Sequence, residues 1–244
     1  MRGGGEVSTG QGVVIAKRSL SLTKSYPAIG ILLTVLGAGI AGLSYLTKAL
    51  PVSPSELGQG ITTIAEAVPF IAVPLQSLAA IMFATPVLLL FVYDKNNGVL
   101  EYLLSLGMDQ GAIYRKYLEA ALILAAGIVA FDFVIDATAG VLLGIPVLMI
   151  QLSGLVTALG LSAVAFGSLL MMSFSSLQKQ RVGSNQPIGM ALGVFVVLPS
   201  YIAPLALPQL AFAIDSVLAA LVVCLSLATY FASSRLISRE KLLP

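Results

Sequence analysis

Two aspartates four residues apart, Asp132 and Asp136 in "AFDFVIDATAG", are the side chains in this sequence whose types and spacing most readily suggest chemistry. On a helix this spacing sets both carboxylates on one face, where they could hold Mg2+ or poise one carboxyl as a proton donor. No second aspartate-rich motif accompanies them, and both fall towards the outer end of an apolar stretch. The expectation is therefore an exposed pair at the outer rim, within reach of water.

The remaining inventory is thin. The chain contains no histidine and a single cysteine, Cys224, inside an apolar run. Structural disulfides within the chain, zinc sites of the His/Cys kind and Ser-His-Asp catalysis are excluded. Glu119 stands one turn beyond Arg115 and is expected to pair with it while snorkelling to the boundary. Asp215 lies just inside the last apolar stretch, where a start near Ala211 would make it interfacial and inexpensive. Tyr93, Tyr102, Tyr114 and Tyr117 fall at one boundary, as an aromatic belt does. Met171 and Met172 read as packing filler.

The elements that must position these residues follow from composition. Of 244 residues 58% are hydrophobic and only 10% charged, against roughly a quarter charged in an ordinary soluble domain. Several apolar windows reach the ~20 residues that cross ~30 Å of hydrocarbon as helix, and the alternating ~10-residue segments of a barrel are missing. The chain reads as an all-α polytopic membrane protein with six spans, at about 26–46, 69–93, 114–138, 149–173, 187–207 and 211–233. No charged residue occurs between Ala137 and Gln178, too long a run for one span, and Gly144-Ile145-Pro146 is the natural break. Small residues four apart, Gly140 with Gly144, Ala163 with Gly167 and Gly189 with Gly193, mark places for close helix packing or a dimer seam.

Six spans put both termini on one side. Twelve of the thirteen basic residues fall on that side and only Lys48 opposite, so the positive-inside rule makes both ends cytoplasmic. Residues 1–25 carry no short apolar core followed by a small-residue cleavage site, and are expected to remain as a tail and helix. In that helix Val13, Val14, Ala16, Leu20 and Leu22 alternate with Lys17, Arg18 and Lys24, which suits the inner headgroup layer. The six-span domain then covers 26–233, and 234–244 form a C-terminal tail.

The segment 94–113, between spans two and three, stands out because it is amphipathic where a plain loop would do. As a helix of about three turns from Asn97, it sets Leu100, Leu103, Leu104 and Gly107 on one face and Asn97, Glu101, Ser105 and Asp109 on the other. Asn96 or Asn97 can cap its start, and Asp109 the helix after it. A rigid helix flush with the inner membrane surface can pass a push from a cytoplasmic partner into both attached spans, which a floppy loop would dissipate.

The run Gly98, Leu100, Glu101, Leu103, Leu104, Ser105, followed by a turn and a helix carrying Arg115 and Lys116 into the next span, resembles the permease subunits of type-2 ABC exporters. The chain length, the N-terminal interfacial helix and the polar break "FSSLQKQRVGSNQP" after span four are similar too. Val99 stands where that family usually has Thr, and Gly107 where it has Pro. The resemblance implies an exporter permease in the plasma membrane, in which Asn97, Gly98, Leu100, Glu101, Leu103, Leu104, Ser105 and Asp109 couple to a separate ATPase subunit. It implies a second permease chain, identical or paralogous, and a substrate that is often hydrophobic or amphipathic. ATP and Mg2+ would sit on the partner, since this chain has no G-x-x-x-x-G-K-[ST] loop, holds no cofactor and is not itself an enzyme. No nucleic-acid partner is implied. Two other classes compete: a stand-alone secondary transporter, which needs intramembrane ionisable groups or paired broken helices, and an intramembrane enzyme using Asp132 and Asp136.

Overall fold

A backbone surrounded by hydrocarbon has no water to bond, so an apolar chain of this kind satisfies its amides within helices. The computed structural model describes residues 10–49, 68–173, 197–202 and 206–236, and these are helical with no strand among them. Among the described residues lie seven α-helices, α1 (Gly10–Leu22), α2 (Ser25–Ala49), α3 (Ala72–Asn96), α4 (Val99–Ser105), α5 (Gln110–Leu142), α6 (Pro146–Ser173) and α7 (Ala211–Leu236). Short 3-10 turns at Val68–Ile71 and Pro208–Leu210 lead into α3 and α7.

Five of these stretches, Ser25–Leu43, Val68–Asn96, Gln110–Leu142, Pro146–Met172 and Ala211–Ala232, are long and apolar enough to cross a membrane. They match five of the six expected spans. Of the other, at 187–207, residues 197–202 are helical and residues 187–196 and 203–205 lie outside the described residues, as do Gly189, Gly193 and the polar break after span four.

Burial orders the bundle. The most apolar window of α3 is 67% buried and that of α6 61%, against 22% for α2 and for α7, so α3 and α6 form the centre and α2 and α7 the flanks. α3 packs on α1, α2, α5 and α6, and α6 on α3, α5 and α7. A helix apolar on all sides needs such an all-round environment. Ala79, Ala80, Ala84, Val87 and Phe91 of α3 are almost fully enclosed. The α3–α6 seam is tight: a methyl added at Gly160 would come within 3.2 Å of Ala80 Cβ, and Ala163 and Gly167 line it against Ile81 and Leu88. Pro86 interrupts the α3 hydrogen-bond ladder in the core, where Thr85 Oγ1 donates to the Ile81 carbonyl at 2.8 Å.

The break at Gly144-Ile145-Pro146 is found where the sequence places it. Gly144 N–H bonds the Val141 carbonyl and Ile145 N–H the Gly140 carbonyl at 2.8 Å, a Schellman closure of α5. Pro146 then opens α6 at a position where no amide donor is needed. Of the small pair Gly140 and Gly144, only Gly140 serves close packing, because a methyl there would meet Met149 Cβ at 3.0 Å and Pro146 Cα at 3.2 Å.

The N-terminal helix forms as expected but sits deeper on the bundle. α1 packs against α3 and α5 through Gly12, Ala16 and Ser19, leaving Val13, Val14 and Leu22 exposed. That face has 3.6-residue spacing and small side chains, so the backbone of α1 approaches α5 closely.

Candidate functional site

Two polar regions occupy opposite ends of the bundle, and the first is built around α4. The chain leaves α3 through Asn97 and Gly98, whose φ of +73° is left-handed and suited to glycine. It leaves α4 through Gly107, φ +83°, in a second Schellman closure: Gly107 N–H bonds the Leu104 carbonyl and Met108 N–H the Leu103 carbonyl. α4 is therefore two turns of seven residues, shorter than the three expected. Asn97 does not cap it. Its side-chain amide donates to the Tyr93 carbonyl at 2.8 Å and closes the end of α3 instead, while the N-cap position of α4 is Gly98 with no side-chain bond. Asp109 does cap α5, its carboxylate accepting from the Ala112 amide at 3.1 Å.

The amphipathic division of α4 holds. Leu100 is 0% and Leu104 8% exposed, with Leu103 packed partly against the same core. Glu101, Tyr102, Ser105, Leu106 and Asp109 face outward. Gly107, expected on the apolar side, is exposed in the turn. Seven residues cannot hold a helix in isolation, so Leu100 and Leu104 are what fix α4 to the bundle.

Beneath α4 lies a group that the sequence did not announce. Asp94, near the end of α3 and 1% exposed, accepts from Tyr117 Oη of α5 at 2.6 Å and from Arg18 Nη2 of α1 at 3.0 Å. A buried carboxylate needs such partners to offset its desolvation. One residue thus ties three helices together at the root of α4, and the ring of Tyr117 stands edge-on to Phe91 at 5.2 Å. Between α1, α4 and α5 opens a cavity of about 580 Å³, lined by Val14, Ile15, Val99, Leu103, Met108 and Ile113, with Arg18 and Lys116 at its edge.

Three neighbouring expectations are corrected here. Glu119 pairs with Lys116 at 3.1 Å, i to i+3, while Arg115 is exposed and donates to the Gly111 carbonyl. Tyr114 and Tyr117 are 1% and 4% exposed, so they belong to the core rather than to a surface belt; Tyr93 and Tyr102 are exposed as expected. Met171 and Met172 are buried filler, as read.

The second region lies at the opposite end, and it overturns the exposed-rim reading of the aspartate pair. Asp132 is 0% and Asp136 2% exposed. Helix α5 continues to Leu142, so both acids sit inside the bundle rather than at its edge. Asp136 accepts from Gln76 Nε2 of α3 at 3.0 Å and from Ser153 Oγ of α6 at 3.1 Å. Asp132 has the Thr34 hydroxyl of α2 as its hydrogen-bonding neighbour, with no closer bond to either of its oxygens, and Gln76 Oε1 has no partner. Among the described residues no third Asp, Glu, His or Cys joins the pair. Asp215 is also inside, 1% exposed with both oxygens unpartnered, although α7 starts at Ala211 as the inexpensive reading required. Cys224 is exposed on α7.

The two ends differ in charge. Every lysine and arginine with a described side chain, Lys17, Arg18, Lys24, Lys95, Arg115 and Lys116, is at the α4 end; Asp132, Asp136 and Asp215 are at the other. Compared with protein-family models, with curated proteins and with solved structures, the chain matches none. What the site supports rests on its own chemistry: a polytopic helical membrane protein with a short surface helix clamped between two spans at one end, and buried carboxylates at the other.

Proposed function

We propose that this chain is the membrane-spanning permease subunit of an ATP-driven exporter, paired with a second permease chain and driven by separate ATPase subunits that dock on 94–109. The observation that carries this reading is the mounting of α4. Leu100 and Leu104 hold it against the core, two glycine joints set its angle to α3 and α5, and Glu101, Tyr102 and Ser105 remain free for a partner. A push on α4 would reach α3 and α5 directly, and α1 through the Arg18–Asp94–Tyr117 tie. The clustering of described cations at this end fits a cytoplasmic face, with both termini cytoplasmic in the plasma membrane. The exposed apolar sides of α2 and α7, including Leu32, Val35, Val217 and Leu221, are available to lipid or to the second permease chain. ATP and Mg2+ belong to the partner, and a hydrophobic or amphipathic substrate suits a pathway between two such bundles.

Glu101→Arg tests the docking. In the isolated complex it is expected to abolish transport and substrate-stimulated ATP hydrolysis while the thermal unfolding of the spans stays as in the wild type. Unchanged stimulation and transport would remove α4 as the docking element.

A stand-alone secondary transporter is the second reading, and the buried acids Asp132, Asp136 and Asp215 are the observation in its favour. Proteoliposomes containing only this chain would then accumulate substrate on an imposed ion gradient without ATP; the exporter reading expects no transport from the chain alone.

A further inference from the structure

Apolar side chains that line a void without filling it forgo contacts on one side. Ile15 of α1, Val99 and Leu103 of α4 and Met108 of the turn after it are only half-buried, and all four line the same cavity of about 580 Å³. At ~30 Å³ per molecule this space exceeds a single water many times over, and each water needs two to four polar partners that apolar walls do not offer.

Position and charge together say what fills it. Val14 lines the cavity and is itself 66% exposed, beside exposed Val13, so the cavity opens next to an apolar face of α1. That helix carries Lys17 and Arg18, with Lys24 just beyond it, as helices in a headgroup layer do. The material at such an opening is lipid.

Three ionised side chains line the cavity, Arg18, Lys116 and Asp94, which leaves a net of one positive charge. Asp94 is already engaged, by Tyr117 Oη at 2.6 Å and by Arg18 Nη2 and Nη1 at 3.0 and 3.4 Å. Glu119 accepts from Lys116 Nζ at 3.1 Å but is outside the lining and lies against Gly12 of α1. Arg18 uses two of its five N–H donors in these bonds and Lys116 one of its three. Both keep donors for an anion, and the Arg18 side chain is half exposed.

We propose that this cavity binds one anionic phospholipid, with an acyl chain between α1, α4 and α5 and the phosphodiester on Arg18 and Lys116. The chain supplies the contacts that the apolar walls lack, and the single negative charge of the phosphodiester matches the net charge of the lining. Bound there, the lipid adds to the hold that Leu100 and Leu104 have on α4. The site stands whether or not an ATPase docks on α4, and takes from that reading only the side of the membrane that supplies the lipid.

The test places the full chain in nanodiscs of phosphatidylcholine with a rising fraction of phosphatidylglycerol at constant ionic strength. Hydrogen–deuterium exchange of the Tyr102 and Leu106 amides is read alongside the lipid retained in native mass spectrometry. The wild type is expected to retain one phosphatidylglycerol per chain and to slow exchange in α4 saturably as that fraction rises. Lys116→Gln is expected to raise the half-saturating fraction about fivefold, the effect of one cation fewer beside an anionic headgroup. Val14→Trp, which fills the cavity and keeps every charge, is expected to abolish both readouts, and Arg115→Gln, outside the lining, to leave both as they are. Glycerol phosphate, a headgroup without an acyl chain, is expected to have no effect. Should Lys116→Gln fail to fold, Val14→Trp and the glycerol phosphate titration decide. Exchange in α4 indifferent to phosphatidylglycerol would mean that something other than this lipid covers the cavity, and would overturn the proposal. Unchanged retention in Val14→Trp, or a response to glycerol phosphate, would overturn it too.

Discussion

Leu100→Ala is the perturbation that most sharply tests whether α4 is a rigid element or a decorated loop. Leu100 is fully enclosed, and with Leu104 at 8% exposure it provides the packing that holds a helix of only seven residues. Truncating a buried leucine costs ~2–5 kcal/mol in soluble cores. At a bundle end beside the headgroup layer the lower part of that range, ~2–3 kcal/mol, applies, because the neighbours can partly close the gap. With each 1.4 kcal/mol worth about tenfold, the local opening of α4 becomes roughly 30- to 150-fold more frequent. Hydrogen–deuterium exchange of the chain in nanodiscs reads this directly. The amides of Tyr102 and Leu106, bonded to the carbonyls of Gly98 and Tyr102 at 2.9 and 3.1 Å, are expected to exchange faster by that factor. Amides in the middle of α5 are expected to stay protected. Tyr102→Ala, at a side chain 63% exposed, serves as the control with little change. Unaltered exchange in α4, or acceleration spread evenly over α3, α4 and α5, would refute the claim that Leu100 clamps this helix.

The tie beneath α4 makes a ranked prediction. Tyr117→Phe deletes a 2.6 Å bond to a buried carboxylate and is expected to cost ~1.5–3 kcal/mol, whereas Arg18→Met, at a side chain half exposed, is expected to cost under ~1 kcal/mol; the reverse order in denaturant unfolding would contradict the account. At the α5–α6 hairpin, Gly140→Ala drives a methyl onto the backbone of Pro146 and is expected to cost ~1–3 kcal/mol and lower Tm. Gly127→Ala, with open space around the new methyl, is expected to be neutral or slightly stabilising. Equal effects at the two glycines would mean that the hairpin is not packed as described.

The parts of the fold legible in the sequence are those set by local chemistry. The proline after Gly144-Ile145 had to end one helix and open another, and Asp109 had a free amide turn to cap; both are found. The Leu100/Leu104 face followed from helical spacing and is found buried. Asn97 failed because two helix ends compete for it: at the end of α3 its backbone N–H and its side-chain amide both donate to the Tyr93 carbonyl, while Gly98 in a left-handed conformation already turns the chain into α4. Asp132 and Asp136 failed for a different reason. Four-residue spacing shows that two acids share a helix face but not what that face meets. Here it meets Gln76 and Ser153 on two other helices, 60 and 17 residues away in sequence. The Arg18–Asp94–Tyr117 tie joins residues up to 76 positions apart and left no local trace.

The central claim is that α4 meets a soluble ATPase at the cytoplasmic surface. Ser105→Cys in a Cys224→Ser background, probed with a membrane-impermeant maleimide, measures it most directly, since Ser105 is exposed on α4 and Cys224 is the sole native thiol. The account predicts labelling in inside-out vesicles only, and protection there when the ATPase subunit is bound. Labelling from the exterior, or reactivity indifferent to the ATPase, would contradict it.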